Sequence, residues 1–161
     1  MFLEEVKLHN YRPYYGDQEI HFGYDMESNV NVISANNARG KSSLLNAITW
    51  AFYGKELHDG GDKENPIYNK IAAKECDKGL TFNVSVSLNL YDIDESGNKI
   101  PFKVERSKTY FKDDKGNLTL EKEELDVLDF DGKWYNDQVK IDAVITKVMH
   151  KYFFFNGVLR I

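Results

Sequence analysis

Apolar and polar residues alternate near the start of the chain: Val6 and Leu8 are separated by Lys7 and followed by His9, and Ile20 and Phe22 flank His21. Alternation with period two places one set of side chains on a buried face. The turn residues from Pro13 to Asp17 lie between the two runs, so the pattern predicts a hairpin. The run Asn29 to Ser34 is β-branched and apolar and predicts a third strand. Leu44, Leu45, Ile48, Ala51 and Phe52 then recur at helical spacing, giving the local order strand, loop, helix. Gly54 stops this helix. Gly60, Gly61 and Pro66 punctuate a polar loop, a candidate lid or insertion, before a short helix predicted from about Ile67 to Cys76.

Phe82, Val84, Val86, Leu88 and Leu90 alternate strictly with polar residues and predict a half-buried strand. Its partner contains Ile100, Phe102 and Val104, reached through the turn Asp94 to Asn98. Further strands are predicted over 108–112 and 118–122, which makes the middle of the chain an antiparallel meander. Ile141, Val144, Ile145, Val148 and Met149 form a helical stripe, with Asp137 placed to cap its start. Tyr152 to Phe155 then predict a short aromatic strand broken by Gly157. There is no internal repeat, low-complexity segment or linker.

Length adds one constraint: 161 residues make about one domain. A hydrophobic content of 42% with 29% charged residues predicts a packed core and excludes a disordered tail. The net charge of -5 repels a polyanion as a whole, so any nucleic-acid contact has to come from a local patch. The single Cys76 forms no internal disulfide, and the start MFLEEVKLHN carries acids where a secretory signal has bases, so the cytoplasm is the expected compartment. The apolar runs are far shorter than the roughly 18 residues of a membrane span, and no membrane association is expected.

Candidate chemistry concentrates in Ser34-Ala-Asn-Asn-Ala-Arg-Gly-Lys-Ser-Ser43, between the predicted strand and helix. In a phosphate loop, backbone N–H groups curl around a β-phosphate and the helix N-terminus adds partial positive charge. The lysine reaches the β and γ oxygens, and the next hydroxyl holds Mg²⁺. Gly40, Lys41 and Ser42 supply the end of that pattern, whereas Ala35 stands where its first glycine belongs. A Gly-Lys-Ser helix start without a ligand is the alternative.

Asn10 to Gly16, Ile20, Phe22, Asn31 to Ser43 and Leu44 to Gly54 together resemble the amino-terminal lobe of SMC-like ABC ATPases, most of all DndD-type proteins of bacterial DNA modification and defence, with RecF and SMC heads more distant. The likeness implies an α/β fold: a P-loop NTPase lobe of the ABC-type head, with an antiparallel β-meander and a phosphate-loop helix. It implies residues 1–161 are that lobe, ending before an expected coiled coil. It implies ATP and Mg²⁺ as cofactors, held by Arg12, Asn37, Ala38, Arg39, Gly40, Lys41, Ser42 and Ser43. Lys41 is the residue carried over for catalysis, and Ser42 the metal ligand. The family loop reads G-x-N-G-x-G-K-[ST]; Ala35 and Ala38 replace its first two glycines, which bears on hydrolysis more than on binding.

Tyr152 to Gly157 is similar to the F-F-F-D-G-E segment of DndD-like proteins, so Asn156 occupies the place of a metal- and water-contacting side chain and is the second candidate catalytic and metal-binding residue. A turn residue before Gly157 is the other account of Asn156. The signature motif, the Walker B acid pair and the switch histidine of such heads are absent from this sequence. The resemblance therefore implies hydrolysis only with a second lobe, dimerisation with a second head on Mg-ATP, action on DNA, and accessory defence or repair subunits. A nucleotide-sensing or structural module without turnover is the alternative function. A small P-loop kinase or GTPase is disfavoured because repeated βαβ units are missing.

Two further patterns carry ordinary structure. Asp92, Asp94, Ser96 and Gly97 imitate the start of a calcium loop, but Lys103 stands where the bidentate glutamate belongs and a hairpin turn is expected. His9, His21, His58 and His150 lack metal-ligand spacing. Lys103, Arg106, Lys108, Lys112 and Lys115 give the middle strands a basic bias, read either as a phosphate track or as a solvated sheet face.

Overall fold

The computed structural model describes residues 1–23, 31–34, 36, 40–56 and 66–153, with the backbone alone for 138 and 148–153. Six strands form one antiparallel sheet: β1 (Phe2–His9), β2 (Asp17–His21), β3 (Thr81–Ile93), β4 (Lys99–Lys112), β5 (Leu118–Leu128) and β6 (Trp134–Tyr135), in the order β2-β1-β3-β4-β5-β6. The helices are α1 (Lys41–Tyr53), α2 (Lys70–Glu75) and α3 (Gln138–Phe153).

The alternation in β3 works as predicted. Val84, Val86 and Leu88 are fully buried, beside Val6 and Leu8 of β1 and Phe102 and Val104 of β4, with Val127 of β5 on the same face. The register pairs Val6 with Leu88 and Leu88 with Val104, so identical faces line up across the sheet. α1 covers this face with Leu44, Ala47, Trp50 and Ala51, and α3 adds Ile141 and Ile145. Removing such apolar area from water contributes about 25 cal/mol per Å², which is the main cohesion of the fold.

Three hairpin ends share one turn chemistry that the sequence reading did not single out. Asp94, Asp113 and Asp129 each accept backbone N–H groups from two to four residues on, and Gly97, Gly116 and Gly132 stand three residues later with left-handed φ of 85°, 88° and 75°. Asp94 spends its carboxylate on Ser96 and Asn98, so the imitation calcium loop is a hairpin turn.

Four expectations change. The two strands foreseen over 100–105 and 108–112 are one continuous β4. The short helix begins at Lys70, because Tyr68 is engaged in an antiparallel bridge with Tyr11. The aromatic strand is corrected at its start: α3 runs through Tyr152 to Phe153, there being no glycine or proline between Asp137 and Phe153 to stop it. Residues 31–34 of the third predicted strand form no strand, and Val32 is 84% exposed. A β-branched run needs a neighbour to hydrogen-bond, and among the described residues none of the six strands pairs with 31–34.

Candidate functional site at the start of α1

The chain between β1 and β2 folds into a tight turn whose geometry depends on Asn10. Its backbone N–H donates to Gly16 O (3.1 Å), its side-chain oxygen accepts from Gly16 N (2.9 Å), and its amide donates to Asn83 O (3.3 Å). Asn10 and Arg12 take left-handed φ of 49° and 51°, ordinary for asparagine and costly for arginine. The segment before α2 pins Arg12 from both sides: Arg12 N donates to Ile67 O at 2.7 Å, and the Asn69 side chain donates to Arg12 O at 2.8 Å.

This turn is a wall of the candidate phosphate loop. Tyr14 donates its hydroxyl to Gly40 O (3.0 Å), and a β-carbon at Gly40 would lie 3.1 Å from that hydroxyl and 3.3 Å from Pro13 Cγ. Gly40 has φ of 98°, so a glycine is required by both conformation and space. Burial pushes the Tyr14 hydroxyl up from its ordinary titration range, keeping it a donor.

Gly40 is the N-cap of α1, and Lys41, Ser42 and Ser43 form its first turn. The helix has no side-chain cap and no acid in that turn. α2 differs, since Asn69 accepts from Ile71 N and Ala72 N, and so does α3, where Asp137 accepts from Lys140 N. The N–H groups that open α1 point where the macrodipole is positive, with Lys41 and Ser42 exposed beside them. An anion fits this end of the helix, and a hydroxyl one residue past the lysine fits a hard cation held against it. Asn37, Ala38, Arg39 and Asn156 lie outside the described residues, as does Ala35.

Arg12 is brought to the same turn, its side chain directed to Glu56. Arg12 Nε donates to Glu56 Oε1 at 3.0 Å, Nη2 pairs with Oε2, and the Tyr11 hydroxyl donates to Oε1. Burial raises the Glu56 carboxyl, but the hydrogen bonds from Arg12 and Tyr11 and the guanidinium charge outweigh it and hold the acid below its ordinary range. Glu56, Tyr11 and Tyr14 were not foreseen as site residues. Glu56 follows the helix stop Gly54 by two positions, and no spacing rule connects it to Arg12.

Two surfaces resolve into ordinary structure. Glu5, Glu19 and His21 lie close enough to ligate one ion, but Lys7 Nζ stands 3.4 Å from Glu5 and 3.1 Å from Glu19, while His21 Nδ1 is 3.3 Å from Glu5. Among the basic residues of the middle strands, Arg106 and Lys108 pair with Glu123 and Lys103 pairs with Glu105. Lys112 donates to the carbonyls of Ala73, Lys74 and Cys76 at the end of α2. These four cations are matched within the protein, and Arg106 is buried, which speaks against a phosphate track.

A helix that opens at Lys41 behind Gly40 without a side-chain cap, laid across an antiparallel sheet, defines a P-loop NTPase lobe of the ABC-type ATPase head. The same fold occurs in a chain solved for work on ATP-driven dimerization and DNA-stimulated activation of SMC ATPases, with a TM-score of 0.61 at 15% identity over 99% of this chain and 87% of that one. The AAA domain family matches residues 5–160, and the protein belongs to that family. It is also similar over 99 residues to the DNA replication and repair protein RecF of Bacillus cytotoxicus (33% identical) and of Bacillus mycoides (32%), in each case over 62% of this chain. The chain spans about a quarter of the length of these curated relatives. Among the described residues, no helix is long and apolar enough to cross a membrane.

Proposed function

We propose that residues 1–161 are the amino-terminal, ATP-binding lobe of an SMC- or RecF-like head that dimerises on Mg-ATP and acts on DNA in repair, DNA modification or antiphage defence. The observation that carries this reading is the uncapped start of α1 behind a left-handed Gly40, with Lys41 and Ser42 exposed at it. Lys41 neutralises the β- and γ-phosphates, Ser42 offers its hydroxyl to Mg²⁺, and Ser43 with the amides from Asn37 onward contacts the phosphates. Asn156 supplies an amide oxygen toward the metal. ATP turnover requires a second lobe carrying the signature and Walker B residues, and a second head closes over the γ-phosphate. The proposed setting is cytoplasmic, with accessory defence or repair subunits. Asn10 to Gly16 and the aromatic segment ending at Gly157 support a DndD-type protein within this group.

A nucleotide-sensing module without turnover is the second reading, favoured by Ala35 and Ala38 in place of glycines. Titration with labelled ATP, with and without Mg²⁺, tests the common core of both. The protein is expected to bind saturably and more tightly with Mg²⁺, and Lys41→Ala to weaken binding at least about tenfold. Equal, weak binding by the two proteins would remove the phosphate-loop assignment. In the completed head, an ATPase rate abolished by Lys41→Ala supports the first reading over the second.

A further inference from the structure

We propose that neutral His9 is a positioning residue for Asn10, and that proton uptake by its ring loosens the β1–β2 turn and weakens nucleotide binding at the loop this turn walls. The effect on binding rests on the nucleotide-binding reading of α1.

The protons of this cluster are fixed one after another. Gly16 N can only donate and lies 2.9 Å from Asn10 Oδ1, which leaves Asn10 Nδ2 to face the His9 ring. That nitrogen also only donates, so His9 Nε2 at 2.8 Å is the acceptor and carries no proton. The ring proton of neutral His9 therefore sits on Nδ1, where Asp17 Oδ1 accepts it at 2.6 Å. The second hydrogen on Asn10 Nδ2 goes to Asn83 O at 3.3 Å. Asn10 is 9% exposed, so a bond lost there is poorly replaced by water.

A second proton on His9 sets an Nε2–H against Asn10 Nδ2, donor against donor. Turning the amide over satisfies the ring only by setting Nδ2 against Gly16 N. Asp17 accepts from the ring in either state, so the conflict falls on Asn10. The surroundings add little: β3 places the uncharged Ser85 opposite His9, and the next cross-strand pair on the same face, Lys7 with Glu19, is joined at 3.1 Å. From the side of α2, Asn69 donates its backbone N–H to Asn10 O, and Glu75 accepts from the Tyr15 hydroxyl. Asn10 closes the turn on Gly16 through both backbone and side chain, and Tyr14 within that turn donates to Gly40 O at 3.0 Å. Loosening Asn10 therefore reaches the bend that precedes Lys41.

The test is Mg-ATP affinity of the whole chain by calorimetry from about pH 8 to about pH 5, the interval in which imidazoles change charge. Across it the parent is expected to lose at least about fivefold more affinity than His9→Gln, whose side-chain oxygen can accept from Asn10 at every pH. Titration of ATP and of the other histidines is common to both proteins and cancels in the comparison. Nitrogen NMR of the parent near the upper pH is expected to find the His9 proton on Nδ1, a measurement that needs no variant and stands even if His9→Gln folds poorly. A proton on Nε2, or the same pH profile for parent and His9→Gln, would overturn the positioning role. If Lys41→Ala binds ATP like the parent, the nucleotide reading is what fails. The tautomer and the pH dependence of the Gly16 amide signal in the free protein then still decide the role of His9: a Gly16 signal that shifts in the parent and not in His9→Gln supports it, and equal shifts overturn it.

Discussion

The hydroxyl of Tyr14 and the backbone of Gly40 meet at 3.0 Å, and a β-carbon on that glycine would lie 3.1 Å from the same hydroxyl. The pair joins the β1–β2 turn to the first residue of the α1 cap, so the wall of the loop and its last bend are one unit.

Gly40→Ala is expected to lower stability by about 1–3 kcal/mol, from the left-handed φ and the close approach together. Tyr14→Phe removes one hydrogen bond and should cost about 1 kcal/mol. It also removes the atom nearest the new methyl group, so the double variant should cost less than the sum of the two. Urea unfolding of the three proteins measures this. Strict additivity would show that the Tyr14 hydroxyl contributes no clash and that φ and the contact with Pro13 set the requirement for glycine.

The Glu56 carboxyl makes the fold sensitive to acid. Its folded titration point lies below the ordinary value of 4.5, so its contribution is fully present above that value and is lost as pH falls through the folded value. The stability of the parent protein should therefore drop more steeply below about pH 4.5 than that of Glu56→Gln. Asp94, Asp113 and Asp129 are also held below their ordinary range and lend both proteins a common slope, so the difference between the two curves isolates Glu56. Parallel curves would mean that Arg12 and Tyr11 do not favour the ionised acid.

Period-two alternation identified β3 and its partner because both bury one face, and the helical stripe identified α1 and the cap at Asp137 for the same reason. The run Asn31 to Ser34 looked equally strand-like, yet pattern reports only the wish to be buried. Whether a neighbour pairs with the run is a property of the whole fold, and among the described residues no strand of the sheet does. The Gly40-Lys41-Ser42 corner was legible because its chemistry is local. Glu56 was not, since Arg12 and Glu56 are 44 residues apart and meet only once α1 is laid across the sheet.

Asn69 joins two structures with one side chain. Its oxygen accepts from Ile71 N at 2.9 Å and Ala72 N at 3.2 Å, capping α2, and its amide donates to Arg12 O at 2.8 Å. Asn69→Ala is expected to destabilise by about 2 kcal/mol, more than loss of a cap alone. Asn69→Asp keeps the cap but removes the donor to Arg12, and should fall between the two. Were Asn69→Asp to match the parent, the bond to Arg12 would carry no weight.

Arg106 shows which half of a buried ion pair matters. It is 6% exposed, donates from Nε to Ala51 O at 3.1 Å near the end of α1, and from Nη1 to Glu123 at 2.9 Å. Gly54, the C-cap, lies against the guanidinium, where a β-carbon would stand 3.2 Å from Nη1. Losing the arginine strands a helix carbonyl in the core, whereas Glu123→Gln keeps an oxygen that accepts from Nη1, on a side chain 37% exposed. Arg106→Met should therefore cost about 2–4 kcal/mol and Glu123→Gln no more than about 1 kcal/mol in equilibrium unfolding. Arg106→Lys restores the charge without the fork and cannot reach both partners at once, so it should recover only part of the loss. Equal costs for Arg106→Met and Glu123→Gln would assign the stabilisation to the ion pair and not to the cap on α1.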